Sequence, residues 1–271
     1  MSTEADRILR EYERRATEIP ATRYSPSTPD QVFMRQTRER TVLQMLRAAG
    51  QLPLTARRIL DVGCGHGQWL ADFETWGAER GNLAGVDLVP ERAASARERL
   101  GGSEGRAADI RAGDASRLGW PAESFDIVVQ SMVISSILDP AMRQGVAAEM
   151  VRVLRPAGVI LWFDFIVDNP RNKAVKGVSR ADIAELFPGF RVKLARSNLA
   201  PPVARALAPR SWTLARLVER LRMLNTHAVA VLTPAEGSAG ARRSSRSAAR
   251  DPPDQPRVVD NIAARRDEAL R

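Results

Sequence analysis

The sequence is short of thiols, of lysine and of long apolar runs, and each shortage closes off a class of protein. Cys64 is the one cysteine in 271 residues. A single thiol forms no intrachain disulfide and supports no zinc site or mechanism that needs two. No apolar run approaches the roughly 20 residues that cross a bilayer. The N-terminal "MSTEADRILREYERR" is charged from its start, unlike a secretory signal, so a cytoplasmic protein is expected. Three lysines, Lys173, Lys176 and Lys193, stand among 41 basic residues; the rest are arginine. The net charge of +9 invites a nucleic-acid reading, because neutralised phosphates are the usual basis of such binding. So lopsided a use of arginine, with abundant alanine, reads instead as codon bias, and net charge alone speaks to solubility and non-specific binding. Nucleic acid is therefore disfavoured as a partner.

What is present is ample for a core, with 44% apolar residues. The spacing predicts a helical extension over residues 1–57, a principal domain over 58–234 and a disordered tail over 235–271. The tail has few large apolar residues, and its 8 basic and 6 acidic residues carry +2 of the +9. Two helices are expected in the extension. Thr3 and Asp6 have capping-box spacing; Thr28 is placed as N-cap before Pro29, and Gly50 as a stop. In the second helix Val32, Leu43, Met45 and Leu46 give an apolar side, while Arg35, Arg38 and Arg40 face solvent or reach into a site.

From Arg58 the apolar runs "RILDV", "LAGVDL", "FDIVVQSMV" and "GVILWFDFIV" alternate with the helical stretches "GQWLADFETWG", "VPERAASARERLG" and "DPAMRQGVAAEMVRVLRP". Continuously apolar strands between helices indicate an α/β protein, a parallel sheet covered on both faces. A helix opened by Ser179 with Asp182, a strand "FRVKLARSNL", a helical lid insertion at about 200–224 and a last strand "HAVAVL" complete the domain.

Such sheets bind ligands beyond the C-terminal ends of their strands, and the first strand runs into "ILDVGCGHGQWL". Gly63, Gly65 and Gly67 permit close approach and left-handed backbone. A dinucleotide fingerprint would need glycine at 68, where Gln68 stands. Asp87, 20 residues beyond Gly67, can accept two hydrogen bonds from a cis-diol, and Asp61 can receive an ammonium group. His66 lies in the turn as a solvent-side residue.

This pattern resembles the first motif of the class I S-adenosylmethionine-dependent methyltransferases, and the resemblance continues from about Arg58 to Phe165. It implies a Rossmann-like, doubly wound, mostly parallel seven-stranded sheet and S-adenosyl-L-methionine as cofactor. In that family an acid ending the second strand binds the ribose hydroxyls, which falls on Asp87, with Leu88 beside it. An acid and a small residue after the third strand approach the adenine, which falls on Asp114 and Ala115 in "AGDASRL". Asp61, Gly63, Cys64, Gly65 and Gly67 fall around the amino-acid part, as do Gln130 and Ser131 after the fourth strand.

Absences narrow the methyl acceptor. The Asn/Asp-Pro-Pro-aromatic motif of amine methylation of bases is missing from "QSMV", Cys64 is misplaced for cytosine chemistry, and the paired glutamates of arginine methylation are absent. Gln130 stands where metal-dependent relatives carry an acid, so no metal is expected. The acceptor is then a small molecule enclosed by segments outside the shared core. Tyr24 and Arg35 before the domain, and Asn169 and Arg171 after the fifth strand, are candidate substrate contacts. Asp164, ending that strand, is the candidate base, with a pKa raised by burial. "DFIVDNPRN" and "LAPPVARALAPRSW" resemble methyltransferases of bacterial polysaccharide and natural-product clusters, implying a hydroxyl of a sugar, glycan precursor or natural product. RNA methylation, a non-catalytic cofactor-binding subunit and a homodimer are left open.

Overall fold

The structure is a computed structural model and describes residues 3–20, 23, 25–101, 107–168 and 172–235. The tail expected over 235–271 lies, apart from Ala235, outside the described residues.

The sheet consists of β1 (Ile59–Val62), β2 (Leu83–Asp87), β3 (Asp109–Ala112), β4 (Phe125–Ser131), β5 (Leu154–Phe165), β6 (Phe190–Leu199) and β7 (Asn225–Pro234). Their order is β3-β2-β1-β4-β5-β7-β6. β1 to β5 pair in parallel, and β7 runs antiparallel between β5 and β6. The apolar runs become strands buried on both sides, as in β1 and β2, where every residue is buried. β3 was absent from those runs for a physical reason: in "DIRA" Ile110 alone is buried, because β3 is an edge. β6 is the other edge, with Arg191 and Lys193 exposed among its side chains, a composition that discourages further strand pairing.

Helices α1 (Glu4–Glu18), α2 (Pro29–Ala48), α3 (Gln68–Thr75), α4 (Pro90–Arg99), α5 (Pro140–Val153), α6 (Arg180–Leu186), α7 (Pro201–Leu207) and α8 (Trp212–Arg220) cover the sheet. The capping boxes of Thr3 with Asp6 and of Ser179 with Asp182 form, and Asp139 caps α5 through the amides of Ala141 and Met142. The strand period of two divides the core between the sheet's faces. Leu60, Val128 and Trp162 pack with Val146 and Met150 of α5, Ile183 of α6 and Ile8 of α1. Ile59, Val129 and Leu161 pack with Val42 and Leu46 of α2, Leu70 of α3 and Ala93 of α4. The buried side of α2 carries Phe33, Met34, Thr37, Val42, Met45 and Leu46, whereas Val32 and Leu43 are only partly buried, which rotates the apolar stripe from the expected one. α5 stops at Val153, earlier than "VRVLRP" suggested, since Pro156 disfavours helix at the residue before it.

β1 has β2 on one side and β4 on the other, so the chain's direction of travel across the sheet reverses there. A crevice opens beyond the C-terminal ends of β1 and β4 at such a switch point. Asp61 and Gln130 stand at those two ends.

Candidate functional site

The turn from β1 into α3 is held down by one carbonyl. The amides of Gly63 and Cys64 both donate to the Val86 oxygen, at 2.8 and 2.9 Å. Gly63 has φ +75°, and a Cβ there would stand 2.3 Å from Val133 Cγ2, so both backbone angle and space demand glycine. Gly67, with φ +77°, closes against Ala96 of α4. Gly65 differs: its φ is +53°, but an added Cβ would meet nothing within 4 Å. Of the three, Gly65 faces open space where a ligand could lie. Cys64 turns the other way. Its buried sulfur packs under the turn, 2.9 Å from where a Gly85 Cβ would sit, and burial first, then Asp61 and Asp87, push its pKa up. The Cys64 thiol is part of the core and its amide donates to the Val86 carbonyl.

Asp87 is buried at the end of β2, with one carboxylate oxygen accepting from the Gly65 amide at 2.8 Å and the other from Val89 at 2.9 Å. Each oxygen keeps a lone pair for a further donor. The carboxylate thus fixes the glycine turn and remains able to receive a cis-diol. Leu88 beside it is half-buried against the core. Asp114 uses one oxygen to accept from the Ser116 amide at 2.8 Å, shaping a turn after β3 that also holds half-buried Ala115.

Asp61 is the anomaly. It is 1% exposed, and neither carboxylate oxygen has a hydrogen-bond partner. Burial, followed by repulsion from Asp87, drives its pKa well above the ordinary carboxylate range, with Arg38 opposing. A buried carboxylate without donors is costly unless a cation meets it. An α-ammonium group beside the glycine turn supplies that cation, and a ribose diol suits Asp87. The residues present therefore fit S-adenosylmethionine.

Gln130, fully buried at the end of β4, accepts from the Val133 amide at 3.1 Å, and Ser131 follows it half-buried. Met132 then adopts φ +63°, uncommon for a residue with a side chain and a mark of a constrained turn. Asp164 is 0% exposed and receives the amides of Ser135 at 3.1 Å and Phe165 at 2.8 Å. Burial raises its pKa to about 6, against those hydrogen bonds. The pKa rises as expected, but the carboxylate is sealed between the turn after β4 and the end of β5, with no surface for an acceptor to touch. Arg35 is exposed on α2 and His66 in the turn, while Tyr24, Asn169 and Arg171 lie outside the described residues.

A second set of residues gathers around Arg38, which does reach inward, and around His227, which the sequence did not single out. Arg38 of α2 lies 4.4 Å from the Trp69 ring and 5.8 Å from Phe163, and pairs with Asp72 at 2.7 Å. Phe163 stacks on His227 at 5.3 Å, and Phe165 lies 4.3 Å from the same imidazole. Burial lowers the His227 pKa to about 4, so the ring is neutral near pH 7. β7 runs antiparallel to β5, which brings His227, near the start of β7, to the ligand end of β5. The signal available in the sequence was the arginine three residues after Arg35 and the aromatic alternation Phe163, Phe165.

Comparison with known proteins agrees with this geometry. Residues 59–158 match the methyltransferase domain family. A phthiotriol/phenolphthiotriol dimycocerosates methyltransferase from Mycobacterium leprae is 33% identical over 177 residues, 64% of this chain and 59% of that protein. Nocamycin O-methyltransferase from Saccharothrix syringae is 39% identical over 106 residues, 38% of this chain and 35% of that protein. The chain thus spans less than two thirds of the length of these curated relatives. The solved PH0226 protein from Pyrococcus horikoshii OT3 shares the fold, with a TM-score of 0.52 at 18% identity over 83% of this chain and 98% of that one.

Proposed function

We propose that this chain is a class I S-adenosylmethionine-dependent methyltransferase and that it methylates a hydroxyl of an apolar natural product or lipid-like alcohol, without a metal ion. The observation that carries the donor half is the orphaned Asp61 carboxylate beside the glycine turn. The acceptor half rests on the wall of Phe163, Phe165 and His227, which suits an aromatic or aliphatic scaffold better than a hydroxyl-rich sugar. The names of the relatives, a phthiotriol/phenolphthiotriol dimycocerosates methyltransferase and nocamycin O-methyltransferase, support the same class.

The bound cofactor supplies a methyl group already activated by its sulfonium. The chain's own residues hold and align. Asp87 would take the ribose diol and Asp61 the ammonium, while the open space at Gly65 would let the cofactor approach the backbone closely. Asp164 acts as a positioning residue, tying the turn after β4 to β5 so that donor and acceptor meet in line.

Titration with S-adenosylhomocysteine tests the donor half. Asp87→Ala should lose about 100-fold in affinity, the equivalent of two charge-assisted hydrogen bonds, with Asp87→Asn intermediate. Unchanged binding by the alanine variant overturns the site. Methyl-labelled cofactor incubated with polyketide phenols, long-chain diols and sugar nucleotides tests the acceptor: label should enter the first two classes, and label in sugars alone overturns the apolar reading.

A further inference from the structure

The lid segment presents a surface that the cofactor site does not use. Six of the eight exposed large apolar side chains among the described residues fall between 212 and 224. Leu217 and Leu221 are 60% and 62% exposed, and Met223 is 86% exposed. Leaving these groups in water forfeits the free energy that their burial would release. Exposed arginines 210, 216, 220 and 222 are interspersed with them. The sole acid of the segment, Glu219, is turned inward, where it accepts from Thr37 at 3.4 Å and faces Arg40 at 3.8 Å. A groove of about 370 Å³ runs alongside, lined by Leu194, Ala195 and Arg196 of edge strand β6 and by Leu221, Arg222 and Met223.

We propose that α8 and the turn after it form a docking face for an anionic lipid surface. Charge selects the occupant. Guanidinium groups without an exposed acid among them require an anionic partner, and a second copy of the chain meeting this face across a twofold axis would set arginine against arginine. Form favours a fluid phase over a folded protein: the most exposed apolar groups, Leu217, Leu221 and Met223, are flexible side chains, with arginines among them able to reach headgroups. The groove beside them accepts an acyl segment between Arg196 and Arg222. The inner side of α8 rests on α2 through Trp212 against Phe33, 5.7 Å apart, so the docked face lies one helix away from Arg38.

Sedimentation of the full chain with vesicles tests this, using phosphatidylcholine alone and phosphatidylcholine mixed with phosphatidylglycerol. Binding is expected to the mixed vesicles and to fall in high salt. Leu217→Ser with Leu221→Ser should weaken it by about tenfold or more. Arg216→Ala and Arg220→Ala should each weaken it about fivefold. Melting temperature and S-adenosylhomocysteine affinity are measured on each variant and should not change, which separates failure of the docking face from failure of the methyl-donor site. Equal binding to neutral vesicles, no binding, or full binding by the double serine variant overturns the proposal. So does a vesicle-independent dimer that the same variant abolishes.

Discussion

Asp61 is where the chemistry of a single residue makes a measurable claim. With no donor near either oxygen and a pKa driven up by burial, the carboxyl tends to hold its proton in the ligand-free protein. An ammonium group arriving beside it favours the ionised form, so binding releases the proton. The sign follows: the affinity for S-adenosylhomocysteine should rise with pH until Asp61 ionises without help, then level off. Calorimetry at one pH in buffers of different ionisation enthalpy should show net proton release, and Asp61→Asn should abolish that release while weakening binding. An Asn variant with the same proton release would assign the linkage elsewhere. Asp61, Gly63, Gly65, Gly67 and Asp87 were legible in the sequence because their spacing along one strand, turn and strand is local. Cys64 shows the limit: the same turn names the position but not the direction of its side chain, which Gly85 settles by leaving it room where a Cβ would collide with the sulfur.

At the scale of elements, α2 joins α8 to the helix that follows the glycine turn. Its Thr37 and Arg40 meet Glu219 of α8, and its Arg38 meets Asp72 and Trp69 of α3, the helix that the glycine turn opens. The Arg38 and Asp72 side chains are only 15% and 13% exposed, so removing one partner strands the other in poor solvation. Arg38→Met, which keeps the stem and loses the charge, should destabilise by roughly 2 kcal/mol, below the fully buried limit because Gln68 also donates to Asp72. Arg38→Lys should fall between, retaining charge but not the planar stacking on Trp69. Urea unfolding checks both, and a methionine variant within about 0.5 kcal/mol of the parent would remove α2 from the argument. None of this coupling was readable beforehand, because Arg38, Trp69 and Glu219 come from three separate helices. The capping boxes of Thr3 and Ser179 and most strands were readable, since a cap or an apolar run is a local pattern; Thr28 does stand before α2, but its hydroxyl donates to the Ser25 carbonyl and caps nothing, and the edge strand β3, with Ile110 alone buried, is not such a pattern.

For the whole molecule, two buried groups at the ligand end of the sheet set opposing dependences of stability on pH. His227 has its pKa lowered to about 4 from 6.5, so between those values the unfolded chain takes up a proton that the folded one refuses, and stability falls as pH falls. Asp164 has its pKa raised to about 6 from 3.8, so in that range the folded chain holds a proton the unfolded one has lost, and stability rises as pH falls. The windows overlap, and the two slopes offset each other over most of the acid range. Each is worth up to about 3 kcal/mol over its window, from about 1.4 kcal/mol per unit of pKa. Removing either group should therefore unmask the other. Relative to the parent, His227→Gln should gain stability on going from pH 7 to pH 5, and Asp164→Asn should lose it over the same interval. Taking differences between variant and parent cancels the contribution of every other carboxylate, provided the two sites are independent. Thermal melts across that interval decide the matter: parallel curves for parent and His227→Gln would mean that the imidazole reaches water and titrates normally, and would open the aromatic wall of the acceptor side to solvent.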